Sequence, residues 1–149
     1  NFMNLLQHNI WKYKNLLYAY KRTHKNIDNI NLKWDISRPL KIMDEILIAK
    51  TQIGNGLSKK SIENKNIRVQ YRIGGEKLRL NNTTKSKTVK QLFQERGVLP
   101  WERDSFPMIY VNGVLIAIPG ICIDIGYAAA DDEPSWKIVW SGYEKAIES

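Results

Sequence analysis

Arg72-Ile-Gly-Gly-Glu-Lys-Leu-Arg-Leu80 leads into Thr83-Thr-Lys-Ser-Lys-Thr-Val-Lys90, then Gln91-Leu-Phe-Gln-Glu-Arg-Gly97 and Val98-Leu-Pro-Trp-Glu-Arg-Asp-Ser-Phe-Pro107. Gly74 and Gly75 permit a tight reversal or bulge that side chains would obstruct. Leu78 and Leu80 resume an alternation that sends Arg79 outward. Thr88 followed by Gln91 is a capping-box pattern, which predicts a helix from Val89 to Arg96 with Gly97 as its stop. Val89, Leu92 and Phe93 supply the buried stripe of that helix. Pro100-Trp-x-Arg103 turns the corner after it. Amide N–H groups at a helix start, flanked by lysine and arginine, suit a phosphate. Lys87 and Lys90 stand at the positive end of the helix dipole, unfavourable by about 0.3–1 kcal/mol each, and a bound phosphate reverses that sign. The residues alone take this stretch as far as a polyanion site.

The flanks are mostly strands. Ile67, Val69, Tyr71 and Ile73 alternate with Arg68, Gln70 and Arg72, so one face reads as core and the other presents arginines. Downstream, Met108 to Val111 and Val114 to Ile118 enclose Asn112-Gly113, a type I′ hairpin signal. Ile121 to Ile125 and Trp136 to Trp140 add strands. Upstream, Leu32, Trp34 and Ile36 alternate with polar neighbours, and Ile46 to Ile53 ends at Gly54-Asn-Gly56. Leu57 to Lys65 reads as a loop or one helical turn, Thr23 to Asn31 as a loop, and Trp11 to Tyr20 as two short aromatic strands. Residues 1–8 read as the tail of a helix from a preceding domain. Strands outnumber helices and no βαβ alternation occurs. The fold class is therefore α+β, a layered antiparallel β-sandwich-like domain with one main helix.

At 149 residues the chain is one domain by size, and 43% hydrophobic with 26% charged residues is ordinary globular composition. No apolar run reaches the roughly 20 residues of a membrane helix, so no membrane partner is expected. The first residue is Asn1 and no leader pattern follows, which leads to the expectation of a piece of a longer protein. Cys122 is the single cysteine; with isoleucine neighbours it reads as a buried inert thiol, and its solitude fits a reducing cytoplasm. His8 and His24 read as surface histidines, and Asp131-Asp132-Glu133 as a solvated turn rather than a metal site. No catalytic residue set and no metal site is expected in this chain.

Charge is unevenly placed. Residues 1–104 hold 21 Lys and Arg against 9 Asp and Glu, whereas residues 105–149 hold 2 against 6. Between Lys65 and Arg103 ten basic residues face three acidic ones. That imbalance points to an acidic partner, nucleic acid above all, with a solvated basic surface as the plain alternative.

Arg72, Gly74-Gly-Glu-Lys77, Lys87-x-x-Lys90-Gln-Leu-Phe-Gln-Glu95, Val98 and Pro100-Trp-x-Arg103 resemble the C-terminal domain of tRNA(Ile)-lysidine synthetases. Pro107 and the strand pair from Met108 to Pro119 continue the resemblance. Ile10 to Tyr18 is similar to the family's opening hairpin and Trp136 to Trp140 to its last strand. Leu99 departs where the family usually has a second proline, and Lys77 where arginine is common. The family attaches lysine to the wobble cytidine of an isoleucine tRNA using ATP. The resemblance implies sheets layered as in the B3/B4-type domain of the phenylalanyl-tRNA synthetase β-subunit. It also implies residues 1–9 as a linker or helix tail and 10–149 as the C-terminal tRNA-binding domain, best matched over 66–149.

The family's ATP loop, Ser-Gly-Gly-x-Asp-Ser, is absent here, so this chain alone is expected to carry no cofactor. ATP, Mg2+ and the lysine substrate would belong to a missing N-terminal catalytic domain. What the resemblance implies for this chain is a grip on the acceptor stem. The candidate RNA-binding residues are Arg68, Arg72, Lys77, Arg79, Lys85, Lys87, Lys90, Trp101 and Arg103. Trp101 reads either as a core plug or as a stacking surface for a terminal base. Arg103 either meets RNA or pairs with Glu102 or Asp104. A protein-interaction or dimerisation domain is the rival reading, with Trp11–Tyr20 or Trp136–Trp140 as an exposed edge, and the family allows a homodimer.

Overall fold

The computed structural model describes residues 29–80 and 85–148, together with Lys12 and Lys14. Two antiparallel sheets and a two-stranded ribbon carry the fold. The first sheet runs β1 (Asn31–Lys33), β5 (Ile67–Gln70), β8 (Met108–Val111), β9 (Val114–Ile118), β10 (Cys122–Ile123) in spatial order. The second runs β2 (Leu40–Ile42), β3 (Glu45–Ile53), β11 (Pro134–Trp140), β4 (Leu57–Ser58). The ribbon pairs β6 (Lys77–Arg79) with β7 (Ser86–Thr88) and hands directly to helix α2 (Val89–Glu95). Between residues 29 and 148 the described residues add two single-turn helices, α1 (Lys59–Ile62) and α3 (Tyr143–Ala146), with a 3₁₀ helix at Pro100–Ser105. The α+β expectation holds.

Every residue of β8 is buried, so this strand is covered on both faces. Its apolar run Met-Ile-Tyr-Val has no polar side to give to water, which is how a central strand reads. The two sheets, the ribbon and α2 share one core. Phe106 is its aromatic junction, 5.1 Å from the Phe93 ring of α2 and 4.8 Å, edge to face, from Trp140 of β11. Burying such rings in offset contact is worth about 0.5–1.5 kcal/mol per pair beyond the area removed from water.

Local chemistry explains the best-defined joints. Thr88 Oγ1 accepts from the Gln91 amide at 3.1 Å while Thr88 N–H donates to Gln91 Oε1 at 3.0 Å, the reciprocal cap that opens α2. Asn112 and Gly113 both take positive φ, 52° and 77°, as a type I′ hairpin requires.

Other expectations are corrected. β1 stops at Lys33: the Trp34 amide still donates to Ile67 O at 3.0 Å, but the chain then turns at Ile36 and Ser37, and the Trp34 indole N–H donates to Arg38 O at 2.8 Å. Ile73 does not join the core face of β5; it is 83% exposed at the lip of the glycine turn. Ser86–Thr88, given no strand by the pattern, is one, since it pairs with Lys77–Arg79. Leu57 to Lys65 is strand and helix turn in succession, with Ser58 Oγ capping α1 by accepting from Ser61 N–H at 3.2 Å. Within Trp11–Tyr20 the two described residues, Lys12 and Lys14, are helical and not in strands. The rest of that stretch, and the readings of residues 1–8 and of 23–28, lie outside the described residues.

Candidate nucleic-acid interface

The turn that follows β5 is held from within. Gly74 and Gly75 take φ of 128° and 77°, backbone that L side chains rarely adopt. The Glu76 carboxylate closes the loop by accepting from the amides of Ile73 at 2.8 Å and Gly74 at 2.6 Å, and it also accepts from the buried Tyr110 hydroxyl of β8. Burial alone would raise the Glu76 carboxyl, but these donors outweigh it and leave it below the usual carboxylate range. Burial, then the Glu76 carboxylate, pushes the Tyr110 hydroxyl the other way, far up. Glu76 is therefore an ionised acceptor held by the turn's own donors.

Arg72, Arg103, Arg79 and Lys87 each hold a partner within the fold. Arg72 Nε lies 3.0 Å from Asp104 Oδ1, its guanidinium 5.9 Å from the Phe93 ring centre, and its side chain is 25% exposed. Arg103 donates from Nε to Val98 O at 3.0 Å, with burial and then the Arg72 charge lowering its affinity for the proton. Arg79 pairs with Asp124 and Lys87 with Glu95, at 2.8 Å and 2.6 Å. Trp101 is half-buried on the 3₁₀ helix and Lys85 is exposed just before β7. Arg68, Lys77 and Lys90 are exposed, and among the described residues they have no hydrogen-bond or ion-pair partner.

The ribbon's register sorts the cations by face. Lys77 stands opposite Thr88, Leu78 opposite Lys87, and Arg79 opposite Ser86. Directly opposed residues share a face, so Lys77 and Arg79 point one way while Lys87 shares the side of the fully buried Leu78. Of the candidate residues on the ribbon, Lys77 and Arg79 thus share a face that Lys87 does not.

The helix start is also different from expectation. α2 has seven residues, and its first amides are used inside the protein: Val89 N–H donates to Glu76 O at 3.0 Å and Gln91 N–H to Thr88. Two of the first three amides of the helix are therefore already satisfied within the protein.

Sequence reading missed the acceptors Asp104 and Asp124 and the donor Tyr110, which lie 32 to 45 residues from Arg72, Arg79 and Glu76. Glu133 accepts from Ser58 Oγ and Ala130 N–H, and no cluster of three or more metal-ligating side chains exists among the described residues. Burial raises the half-buried Cys122 thiol, which disfavours the thiolate. No helix among the described residues is long and apolar enough to cross a membrane.

Residues 67–140, from β5 through β11, match the family described as the TilS substrate C-terminal domain. The chain belongs to this family. Two curated relatives of the TilS domain carry the name tRNA(Ile)-lysidine synthase. That of Coxiella burnetii (strain RSA 493 / Nine Mile phase I) is 34% identical over 109 residues, 72% of this chain and 24% of the relative. That of Proteus mirabilis (strain HI4320) is 24% identical over 140 residues, 93% of this chain and 31% of the relative. The chain thus spans less than a third of the length of these relatives. A crystal structure of a TilS C-terminal domain superimposes with a TM-score of 0.61 at 19% identity, over 82% of this chain and all of that one. At that identity the likeness speaks for the TilS fold alone.

Proposed function

We propose that this chain is the tRNA-binding C-terminal part of an ATP-dependent tRNA(Ile)-lysidine synthetase acting in the cytoplasm. The catalytic steps, with ATP, Mg2+ and lysine, would take place in a separate N-terminal domain, and this part would grip the acceptor stem of an isoleucine tRNA. Membership of the TilS family supports the assignment. The observation that carries the grip is the exposure of Arg68, Lys77 and Lys90 without partners among the described residues. Exposed cations hold phosphates without first breaking an internal bond, and each phosphate neutralised releases counterions.

The candidate residues then divide by role. Arg68, Lys77, Lys85 and Lys90 touch the backbone, with Arg79 joining from the outer face of the ribbon, where 62% of its side chain stays exposed. Arg72, Arg103 and Lys87 shape the surface from inside. Trp101 packs on the 3₁₀ corner. Phosphate contacts of this kind give position and affinity and carry little sequence information, which suits shape readout of an A-form stem.

The test is a titration of this chain with isoleucine tRNA at two or more salt concentrations. Four to five side-chain contacts predict a log–log slope of about −3 to −4.5. Binding that ignores salt would reject the grip.

A further inference from the structure

Lys33 is a residue that neither the family match nor the sequence pattern assigns a role; it lies outside residues 67–140. In the first sheet Lys33 of β1 is the direct antiparallel partner of Arg68 of β5, and Arg68 is in turn the direct partner of Tyr110 of β8. Directly opposed residues project from the same face, with Cβ atoms about 4.5–5.5 Å apart. The three side chains therefore form one row across the sheet. At its inner end Tyr110 is buried and its hydroxyl meets Glu76 of the glycine turn, so the turn lies over this face. At its outer end Arg68 and Lys33 are exposed. The result is a step: the pinned turn forms the riser, and two adjacent cations form the tread.

Like charges placed directly across a strand pair disfavour each other, and the surroundings do nothing to relieve this pair. Asp35, two residues after Lys33, already accepts from Ser37 N–H and Oγ and sits beside Arg38. Among the described residues neither Lys33 nor Arg68 has an ion-pair partner. A phosphate group between them would turn mutual repulsion into shared attraction.

We propose that Lys33 and Arg68 form a two-cation clamp for one backbone phosphate of the bound tRNA, extending the contact surface onto the edge strand β1. The inference rests on the tRNA-binding reading above and adds to it a residue and a geometry. It also predicts an unusual pair of effects: removing one cation weakens RNA binding and does not weaken the fold.

The experiment compares this chain with Lys33→Met and Lys50→Met. Lys50 is a fair control, because it is exposed and stands directly opposite Lys137 in the second sheet, another like-charge pair carrying the same loss of charge. Isoleucine tRNA binding is measured across a salt series, and thermal unfolding without RNA. Expected for K33M is an affinity several-fold lower at low salt, a salt slope shallower by about 1, and a melting temperature equal to or above that of the parent; K50M should bind as the parent does. Equal binding by K33M and the parent, equal losses in K33M and K50M, or a K33M loss that follows a lowered melting temperature would each overturn the clamp while the tRNA-binding reading stands. Absence of tRNA binding by the parent chain would overturn both.

Discussion

Arg79 and Asp124 meet through backbone and side chain at once: the Arg79 amide donates to Oδ1 at 3.0 Å and its Nη2 to Oδ2 at 2.8 Å. Asp124 also accepts from Gly126 N–H at 3.0 Å. A carboxylate following β10 thus fastens the ribbon to the first sheet. Because the Arg79 side chain is 62% exposed, its ion pair contributes little. The weight falls on the two amides that would lose their acceptor.

Asp124→Ala should therefore destabilise the fold by about 2–3 kcal/mol, most of it from those orphaned amides. Asp124→Asn, which keeps one acceptor oxygen, should cost roughly half as much. Urea unfolding of both variants checks this ordering.

Acid should weaken the fold by a route that can be traced. At both Asp124 and Glu76 burial raises the carboxyl, but hydrogen bonds from Arg79 and Gly126, or from Tyr110, Ile73 and Gly74, outweigh it and leave each lowered overall. A depressed folded value means the unfolded chain binds protons first, so this stability is complete above the unfolded value of about 4 and fades as pH falls through the folded one. Unfolding free energy measured from pH 6 down to pH 2 should decline, and Glu76→Gln should flatten that decline while lowering the plateau.

Two glycines with similar φ should respond differently to alanine. A Cβ on Gly54, at φ 71°, would lie 2.6 Å from the Asp131 carbonyl oxygen, whereas one on Gly75, at φ 77°, meets open space. Gly75→Ala should cost only the conformational strain of about 1–2 kcal/mol. Gly54→Ala adds a backbone collision and should cost clearly more. Thermal melts that rank them the other way would contradict the described packing.

The basic residues should separate by function under substitution. Arg72→Ala removes a partner of Asp104 and a contact with the Phe93 ring, and should lower stability by about 1–2 kcal/mol. Lys77→Ala and Lys90→Ala remove exposed side chains and should stay within about 0.5 kcal/mol of the parent. Chemical denaturation of the three variants gives the comparison directly.

What could be read from the residues was local. The Thr88–Gln91 cap, the Asn112-Gly113 hairpin and the glycine turn each depend on groups within a few positions, and all three stand where the pattern put them. Alternation misled at Ile73, because the strand ends at Gln70 and the Glu76 carboxylate reshapes the turn. The acceptors that hold Arg72 and Arg79 come from Asp104 and Asp124, and no periodicity announces a partner so far along the chain. The same blindness hid Lys33 beside Arg68, a pairing that exists only once β1 and β5 are in register. A count of basic residues therefore overstated the exposed charge, and missed one of its members.

The claim on which the rest depends is that exposed lysines of the ribbon and helix start hold RNA phosphates. It is tested most directly by the salt dependence of isoleucine tRNA binding to this chain and to its Lys77→Ala/Lys90→Ala variant. The account predicts weaker binding by the variant and a log–log slope shallower by about 2, one unit for each lost phosphate contact, with stability unchanged. Identical slopes and affinities for the two proteins would contradict it.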